Sequence, residues 1–240
     1  MTTPIIEVTG VSKSFGAVTA IDDLSFTLEP GELLGIVGPN GAGKTTALNL
    51  IAGDYRPSCG RIFLSGTDIT AQSGHHRCRA GIGRTSEVPR PFERLTVLEN
   101  VLVGASYGAG RPRQDVIEAC TRGLQTAGML PLTNARAGDL TLLGRKRLEL
   151  ARALAAEPSV LLVDDVADGL TEPEVHELVD TVRTIHAGGM SIIWAEHVVH
   201  VLLPAVDRML ALDDGRKVIE GEPRDVVASA EMRHMYLDAT

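Results

Sequence analysis

The sequence predicts an α/β protein whose core is a largely parallel sheet. The segment GPNGAGKTT follows an apolar run at 33–37 and leads into a helical pattern, which gives the order strand, glycine-rich loop, helix. Two more apolar runs, 160–163 and 191–195, are separated by the amphipathic segment PEVHELVDTVRTIH. Strand, helix and strand in this order favour parallel pairing, because the connection between parallel strands needs a long crossover that a helix supplies.

The remaining elements are predicted in chain order. A group of strands precedes the glycine-rich loop, and a helical section is expected from about Pro91 to Gly138. Within that section, the segment PRQDVIEACTRGLQTAG shows helical spacing at Val116, Ile117, Cys120 and Leu124. The tail MLALDDGRKVIEGEP predicts a hairpin with its turn at Asp214–Gly215, followed by a short terminal helix.

Composition excludes several classes of protein. A length of 240 residues with 44% hydrophobic content is enough for a packed core, in one large domain or two small ones. A formal charge of -8 and 3% aromatic residues argue against nucleic-acid binding by phosphate neutralisation and base stacking. No apolar run approaches the roughly 20 residues that span a bilayer, so any membrane association is expected to be peripheral. The three cysteines form no CxxC, which predicts free thiols in a reducing cytosol.

The glycine-rich loop matches the phosphate-binding pattern GxxxxGK[ST] completely. Its glycines let backbone N–H groups turn towards phosphates, and the following helix, with Leu48 and Ile51 on one face, adds the partial positive charge of its N-terminus. Lys44 is expected to contact the β and γ phosphates, and the Thr45 hydroxyl to ligate magnesium. The predicted nucleotide-binding residues of the loop are Gly38, Pro39, Asn40, Gly41, Ala42, Gly43, Lys44, Thr45 and Thr46.

Two adjacent carboxylates, Asp164 and Asp165, end the apolar run in VLLVDDVADGL. An acidic turn in water after a core strand is the commoner explanation of such a pair. The phosphate loop supplies a second one, in which Asp164 holds Mg²⁺ through water opposite Thr45, as in other P-loop NTPases. For Asp165 two roles stay open: it polarises the attacking water, or it has no direct part.

The chain resembles the ATP-binding subunits of ABC transporters from about Ile6 to Leu237. The segments that carry the resemblance are SFGAVTAIDDLSFTLEPGE, GIGRT with PRPFERLTVLENV, RLELARALAAEP, WAEH and DDGRKVIEGEP. Within the family it is most similar to subunits that serve branched-chain amino-acid uptake. The resemblance implies one P-loop NTPase domain over 1–240, with a RecA-like core sheet, an N-terminal antiparallel β section and a helical subdomain inserted at about 86–145.

The resemblance also implies roles for residues outside the phosphate loop. Phe15 would stack on adenine, and His197 would be the switch histidine that hydrogen-bonds the γ-phosphate. Asp168–Leu170 would form the D-loop, which touches the partner subunit. Glu87 stands where the family has a Q-loop glutamine, and as an acid it would either repel the γ-phosphate or hold magnesium. Taken alone, Phe15 and His197 would more often be structural, and Glu87 a solvated loop acid.

Three departures from the family pattern lie near the γ-phosphate. Asp165 replaces the catalytic glutamate, and Glu87 replaces the glutamine. The LSGGQ-like signature is represented by Leu140–Gly144, which puts Leu143 on an expected glycine; alternatively, one leucine is inserted and Gly144 is that glycine. If Leu143 replaces the glycine, its side chain is expected to stand where the signature's N–H groups approach the partner's γ-phosphate. We expect these departures to slow hydrolysis, with Asp165, His197 and Glu87 as the catalytic groups.

The resemblance implies an ATPase subunit of an importer for branched-chain or related amino acids, with ATP and Mg²⁺ as cofactors. Its partners would be a related ATPase subunit, in a heterodimer or a homodimer, and two membrane-spanning permease subunits. It would lie peripherally on the cytoplasmic face of the inner membrane, bind no nucleic acid and never touch the transported molecule. Two alternatives stay open: an ATP-dependent clamp or regulatory subunit with little turnover, and an ABC ATPase for another cargo such as lipid.

Overall fold

The computed structural model describes residues 3–108 and 113–237. The chain divides into two compact units: unit 1 comprises Met1–Gly74 and Ser191–Thr240, and unit 2 comprises His75–Met190. The predicted helical subdomain falls within unit 2, which also contains two strands and further helical residues outside that range. The single-domain organisation therefore stays a prediction. Among the described residues, no helix combines the length and the apolar character needed to cross a membrane.

The strands are, in chain order, β1 Ile6–Phe15, β2 Val18–Leu28, β3 Leu33–Val37, β4 Cys59–Leu64, β5 Thr67–Asp68, β6 Ile82–Arg84, β7 Val160–Asp164, β8 Ser191–Glu196, β9 Arg208–Asp213 and β10 Arg216–Gly221. The α-helices are α1 Lys44–Ala52, α2 Gly74–Arg79, α3 Val97–Gly108, α4 Arg113–Thr126, α5 Leu142–Leu154, α6 Glu172–Ala187, α7 Val199–Leu202, α8 Pro223–Ala228 and α9 Ala230–Leu237. Two short 3₁₀ helices, Leu130–Leu132 and Ala137–Asp139, precede α5.

Unit 1 contains both kinds of strand pairing. Its antiparallel part has the order β2-β1-β4-β5, in which Ile6 lies opposite Leu28 and Val8 opposite Phe26. These residues are buried and alternate with more exposed ones along each strand, as expected for a sheet with one covered face. In the other part, β3 pairs in parallel with both β8 and β9. All five residues of β3 are buried, which agrees with the continuous apolar run of a central parallel strand.

The predicted C-terminal hairpin is confirmed, and the helical region predicted after it is divided into two short helices. The turn between β9 and β10 is Asp214–Gly215, and both residues have positive φ, 42° and 75°, as in the two-residue hairpin turns that fit strand twist. Two helices follow instead of one. Ser229 ends α8 in an extended conformation, and its hydroxyl accepts a hydrogen bond from the Met232 N–H, which starts α9.

Unit 2 pairs β6 with β7 in parallel and packs α3, α4 and α5 against one another. Val116, Cys120 and Leu124 are buried on α4 as predicted, whereas Ile117 is 54% exposed, so its assignment to the same face is wrong. Consecutive residues point about 100° apart around a helix, and Ile117 follows Val116 directly. Pro112, with which the predicted helical segment starts, lies outside the described residues.

Candidate nucleotide-binding site

The phosphate loop joins β3 to α1 through a backbone path that needs glycine. Gly43 is the N-cap of α1 with φ 102°, and a Cβ added there would lie 2.6 Å from the Ala20 carbonyl oxygen. A Cβ added at Gly38 would lie 2.1 Å from the Leu212 carbonyl oxygen. Gly41 has φ 87°, a left-handed conformation that other residues rarely adopt. At these three positions, a left-handed backbone conformation or the close approach of a backbone carbonyl oxygen explains why the motif has glycine.

Lys44 is held by the loop that precedes it. Its side chain is almost fully buried, and its Nζ donates to the carbonyl oxygens of Gly38 at 2.7 Å and Pro39 at 2.9 Å. A buried ammonium group is tolerated only with such partners. The first turn of α1 begins at this residue, and a helix N-terminus offers N–H groups and partial positive charge to an anion. The donor set therefore fits a phosphate group.

Phe15 ends β1 at the surface, so it is not a core residue. Its ring is 44% exposed, and the Tyr55 ring meets it edge to face at a centroid distance of 5.1 Å. The Lys13 ammonium lies 5.0 Å from the centroid of Phe15 and donates to the Arg56 carbonyl oxygen. This geometry is compatible with stacking on a base. Tyr55 was not predicted, because no local pattern links it to a strand that ends 40 residues earlier.

His197 directly follows β8, as predicted. Hydrogen bonds hold both the residue before it and its own carbonyl oxygen. Glu196 is fully buried, and its Oε1 accepts a hydrogen bond of 3.1 Å from Trp194 Nε1. Its Oε2 lies 4.0 Å from His197 Nδ1. The Tyr236 hydroxyl donates to the His197 carbonyl oxygen at 3.0 Å. The contacts of Glu196, Trp194 and Tyr236 were missed by sequence reasoning, which singled out only the histidine of WAEH.

Asp164 is a buried carboxylate, so the interpretation as an acidic turn in water does not apply to it. It is the last residue of β7 and 1% exposed. Its Oδ2 accepts from Arg84 Nη2 at 3.2 Å, and its backbone N–H donates to Thr85 Oγ1 at 3.3 Å. Carboxylate oxygens are ligands that a hard cation such as Mg²⁺ prefers, so Asp164 fits a magnesium site by its chemistry. Arg84 was not predicted as a partner, although it belongs to the segment GIGRT.

Asp165 has the left-handed backbone conformation, with φ 44°. Its backbone carbonyl oxygen accepts from Lys146 Nζ at 3.4 Å, and Lys146 is itself buried. Among residues with a side chain, Asp and Asn visit this conformation most readily. The backbone here therefore favours Asp over the Glu of the family pattern. Glu87 lies in the exposed loop after β6, and its role near the nucleotide stays a prediction.

The signature segment differs from its prediction in which leucine is exposed. Thr141 is the N-cap of α5, and its hydroxyl accepts from the Gly144 N–H at 3.2 Å. Leu142 and Leu143 are then the first two residues of one uninterrupted helix. Leu142 is 38% exposed and Leu143 only 8%, so the expectation that Leu143 presents its side chain to a partner is wrong. The exposed leucine is Leu142, and its Cδ2 would lie 3.1 Å from a Cβ added at Gly169 in the predicted D-loop.

Residues 21–168 match the protein-family model described as ABC transporter. The chain belongs to the ABC transporter family. The predicted family is thereby confirmed, and the chain carries an ABC ATPase domain, which binds ATP.

Curated relatives of this ABC protein include two that it matches over nearly their whole length. The branched-chain amino-acid transport ATP-binding protein BraF of Pseudomonas aeruginosa is 29% identical over 254 residues, which covers 99% of both chains. LivG of Escherichia coli K12, also a branched-chain amino-acid transport ATP-binding protein, is 29% identical over 252 residues and 99% of both chains. The Nod factor export ATP-binding protein I of Rhizobium johnstonii is 35% identical over 92% of this chain and 70% of that one.

Solved structures confirm the predicted fold class. The ADP conformation of MJ1267, an ATP-binding cassette of an ABC transporter, has a TM-score of 0.90 with 26% identity and covers 98% of both chains. The cbiO1 protein of Clostridium perfringens, part of the ABC transporter complex cbiONQ, has a TM-score of 0.85 with 25% identity. It covers 99% of this chain and 100% of that chain.

Proposed function

We propose that this ABC protein is the ATP-hydrolysing subunit of an importer for branched-chain or related amino acids. The proposal that the protein binds and hydrolyses ATP rests on the phosphate loop, in which the glycines and the buried Lys44 fit a phosphate group. The cargo class is supported by similarity to branched-chain amino-acid transport ATP-binding proteins over 99% of the chain.

Each proposed site residue fits its role by its own chemistry. Thr45 offers a hydroxyl in the first turn of α1, and Asp164 offers a buried carboxylate at the end of β7; we propose them as the magnesium residues. Magnesium, when bound, would neutralise charge on the phosphates. Asp165 is the proposed catalytic carboxylate and His197 the proposed γ-phosphate ligand. Glu87 is the proposed replacement for the Q-loop glutamine and a further candidate for magnesium.

We propose slow hydrolysis, because the carboxylate of Asp165 is one methylene shorter than that of the family's glutamate. A misplacement of about 1 Å in a catalytic group can cost on the order of 10²-fold in rate. The left-handed backbone at Asp165 accounts for an aspartate at this position but does not restore the missing length of the side chain. If the loop re-aims the carboxylate fully, turnover would instead be ordinary.

The proposed partners are a related ATPase subunit and two membrane-spanning permease subunits, with this chain lying peripherally on the cytoplasmic face of the membrane. In the family pattern, one subunit's phosphate loop is closed by the other subunit's signature. In a homodimer both composite sites would be closed by a signature that carries the exposed Leu142, so both would be weak. We propose a heterodimer, in which only the site closed by this chain's signature is weak.

The test is purification of the intact complex from membranes, followed by ATPase and transport measurements in proteoliposomes. We expect ATP-dependent uptake of leucine, isoleucine or valine, which is lost in a complex that carries Lys44→Ala. Tight ATP binding without turnover would establish the clamp alternative. ATP-dependent movement of a different molecule, or movement in the export direction, would favour another cargo; the 35% identity to a Nod factor export protein is the observation behind that second candidate.

A further inference from the structure

The carbonyl of the proposed switch histidine is bound by the C-terminal helix. His197 lies in the short connection between β8, which ends at Glu196, and α7, which begins at Val199. Its carbonyl oxygen accepts a hydrogen bond of 3.0 Å from the hydroxyl of Tyr236, which lies 39 residues further along the chain in α9. A side chain from a helix far along the chain thus contacts the backbone of this connection.

The hydroxyl of Tyr236 acts only as a donor in this contact, since a backbone carbonyl has no proton to give. Burial raises the pKa of Tyr236 to about 12, so the phenol stays protonated across the physiological range. Helix α9 is anchored by Met232 and Met235, which are 4% and 7% exposed. The Tyr236 hydroxyl therefore lies on a helix that is packed through its own buried side chains.

The residue before His197 is fixed as well. Glu196 pairs with Val37 in the parallel sheet and is fully buried, and Trp194 Nε1 holds its Oε1 at 3.1 Å. The backbone up to Glu196 is thereby set by the strand. Directly beyond the strand, the Tyr236 hydroxyl binds the carbonyl oxygen of the His197 peptide.

We propose that Tyr236 is a positioning residue for His197: its hydroxyl sets the peptide that carries the histidine and thereby the direction of the imidazole. This inference rests on the proposed role of His197 in hydrolysis. Catalytic side chains must be held close to their productive geometry, and a residue without contact to the nucleotide can supply that constraint. The C-terminal helix then contributes to turnover and not only to stability.

The experiment compares wild type with Tyr236→Phe, which removes the hydroxyl and keeps the ring. In the assembled complex, we expect kcat to fall about 2- to 10-fold, the effect of one uncharged hydrogen bond, while KM for ATP stays unchanged. Ser229→Ala is the matched control, because it removes the hydroxyl that starts α9 but leaves the Tyr236 hydroxyl in place. It should lower the thermal midpoint without the fall in kcat.

Two further measurements decide whether the effect passes through His197. In a His197→Ala background, Tyr236→Phe should cause no additional loss of kcat, since the group that it positions is gone. Amide hydrogen exchange of a peptide that covers 196–199 should be faster in Tyr236→Phe than in wild type or Ser229→Ala, and it needs no turnover.

The outcomes separate this inference from the proposed function. An active wild type with equal kcat in Tyr236→Phe, or an equal loss in both histidine backgrounds, would overturn the inference and leave the ATPase intact. Unchanged exchange at 196–199 would overturn it as well. A wild-type complex without ATPase would count against the proposed function, and the exchange measurement would still test whether Tyr236 holds the His197 peptide.

Discussion

Helices α1 and α5 both follow a loop that the family pattern assigns to nucleotide, but their N-termini differ. Helix α1 starts after Gly43, a left-handed residue, and among the described residues no side chain caps it. Helix α5 starts after Thr141, whose hydroxyl already accepts from the Gly144 N–H at 3.2 Å. The exposed Leu142 is the first residue of that helix.

The difference concerns what each helix start offers to an anion. A helix N-terminus attracts phosphate through N–H groups that have no partner within the helix. The start of α1 after Gly43 has no side-chain cap in the described part of the chain, whereas at α5 a threonine bonds to one N–H group and a leucine stands beside it. We therefore expect a strong phosphate-loop half-site and a weak signature half-site in the same chain.

The largest effect should come from Lys44→Ala. It removes the cation enclosed by the phosphate loop, so tight MgATP binding should be abolished in a fluorescent-nucleotide titration. Lys217→Ala is the matched control: Lys217 pairs with Glu220 on β10 and should leave binding unchanged. Wild-type affinity in Lys44→Ala would show that α1 is not the strong half-site.

The next effect should come from Leu142→Gly. If the leucine obstructs the partner's γ-phosphate, its removal should raise the rate at the partner's phosphate loop; one preorganised donor is typically worth about 10²- to 10³-fold in rate. The gain should vanish when the partner's phosphate-loop lysine is also substituted. A gain that survives would place the effect in this chain's own site.

Leu143→Gly is the contrast to that variant. Leu143 is buried, so its loss should cost folding stability, by about 2–5 kcal/mol for the side chain, and should give no gain in rate. A gain with Leu143→Gly and none with Leu142→Gly would reverse the assignment made from burial.

The signature is one departure of unit 2 from the family pattern. Asp165→Glu tests whether the shorter carboxylate at position 165 is a second departure that limits turnover. Restored length should raise turnover by up to about 10²-fold at similar ATP affinity. The left-handed backbone should make the variant less stable by about 1 kcal/mol, measurable as a lower thermal midpoint. Asp165→Asn keeps the backbone preference and should lose turnover. Flat turnover in Asp165→Glu would show that the loop has re-aimed the shorter acid or that Asp165 is not catalytic.

The smallest effect should come from Phe15→Ala, which leaves the phosphate loop intact. Loss of base stacking typically costs about 1–3 kcal/mol, so ATP should bind more weakly but still measurably. Phe92→Ala is the matched control, because Phe92 is 47% exposed and its ring lies near Arg152 instead. Equal affinity for wild type and Phe15→Ala would remove Phe15 from the adenine site.

The phosphate loop was predictable because its determinants are local. The strand 33–37, the glycines and the helix follow one another directly, and each is set by periodicity or by backbone conformation. The hairpin turn at Asp214–Gly215 was predictable for the same reason. Periodicity failed at Ile117, because neighbouring apolar residues satisfy the same helical pattern from different faces.

By itself, the sequence determined the family, the fold class, the glycine positions of the phosphate loop and the lysine inside it, because each depends on residues close together in the chain. The tertiary structure alone decided which of Leu142 and Leu143 is exposed, because that depends on what packs against the start of α5. It also decided the pairing of Arg84 with Asp164 and of Tyr236 with His197. Such contacts join residues far apart in sequence, and they form only when the fold has brought their elements together.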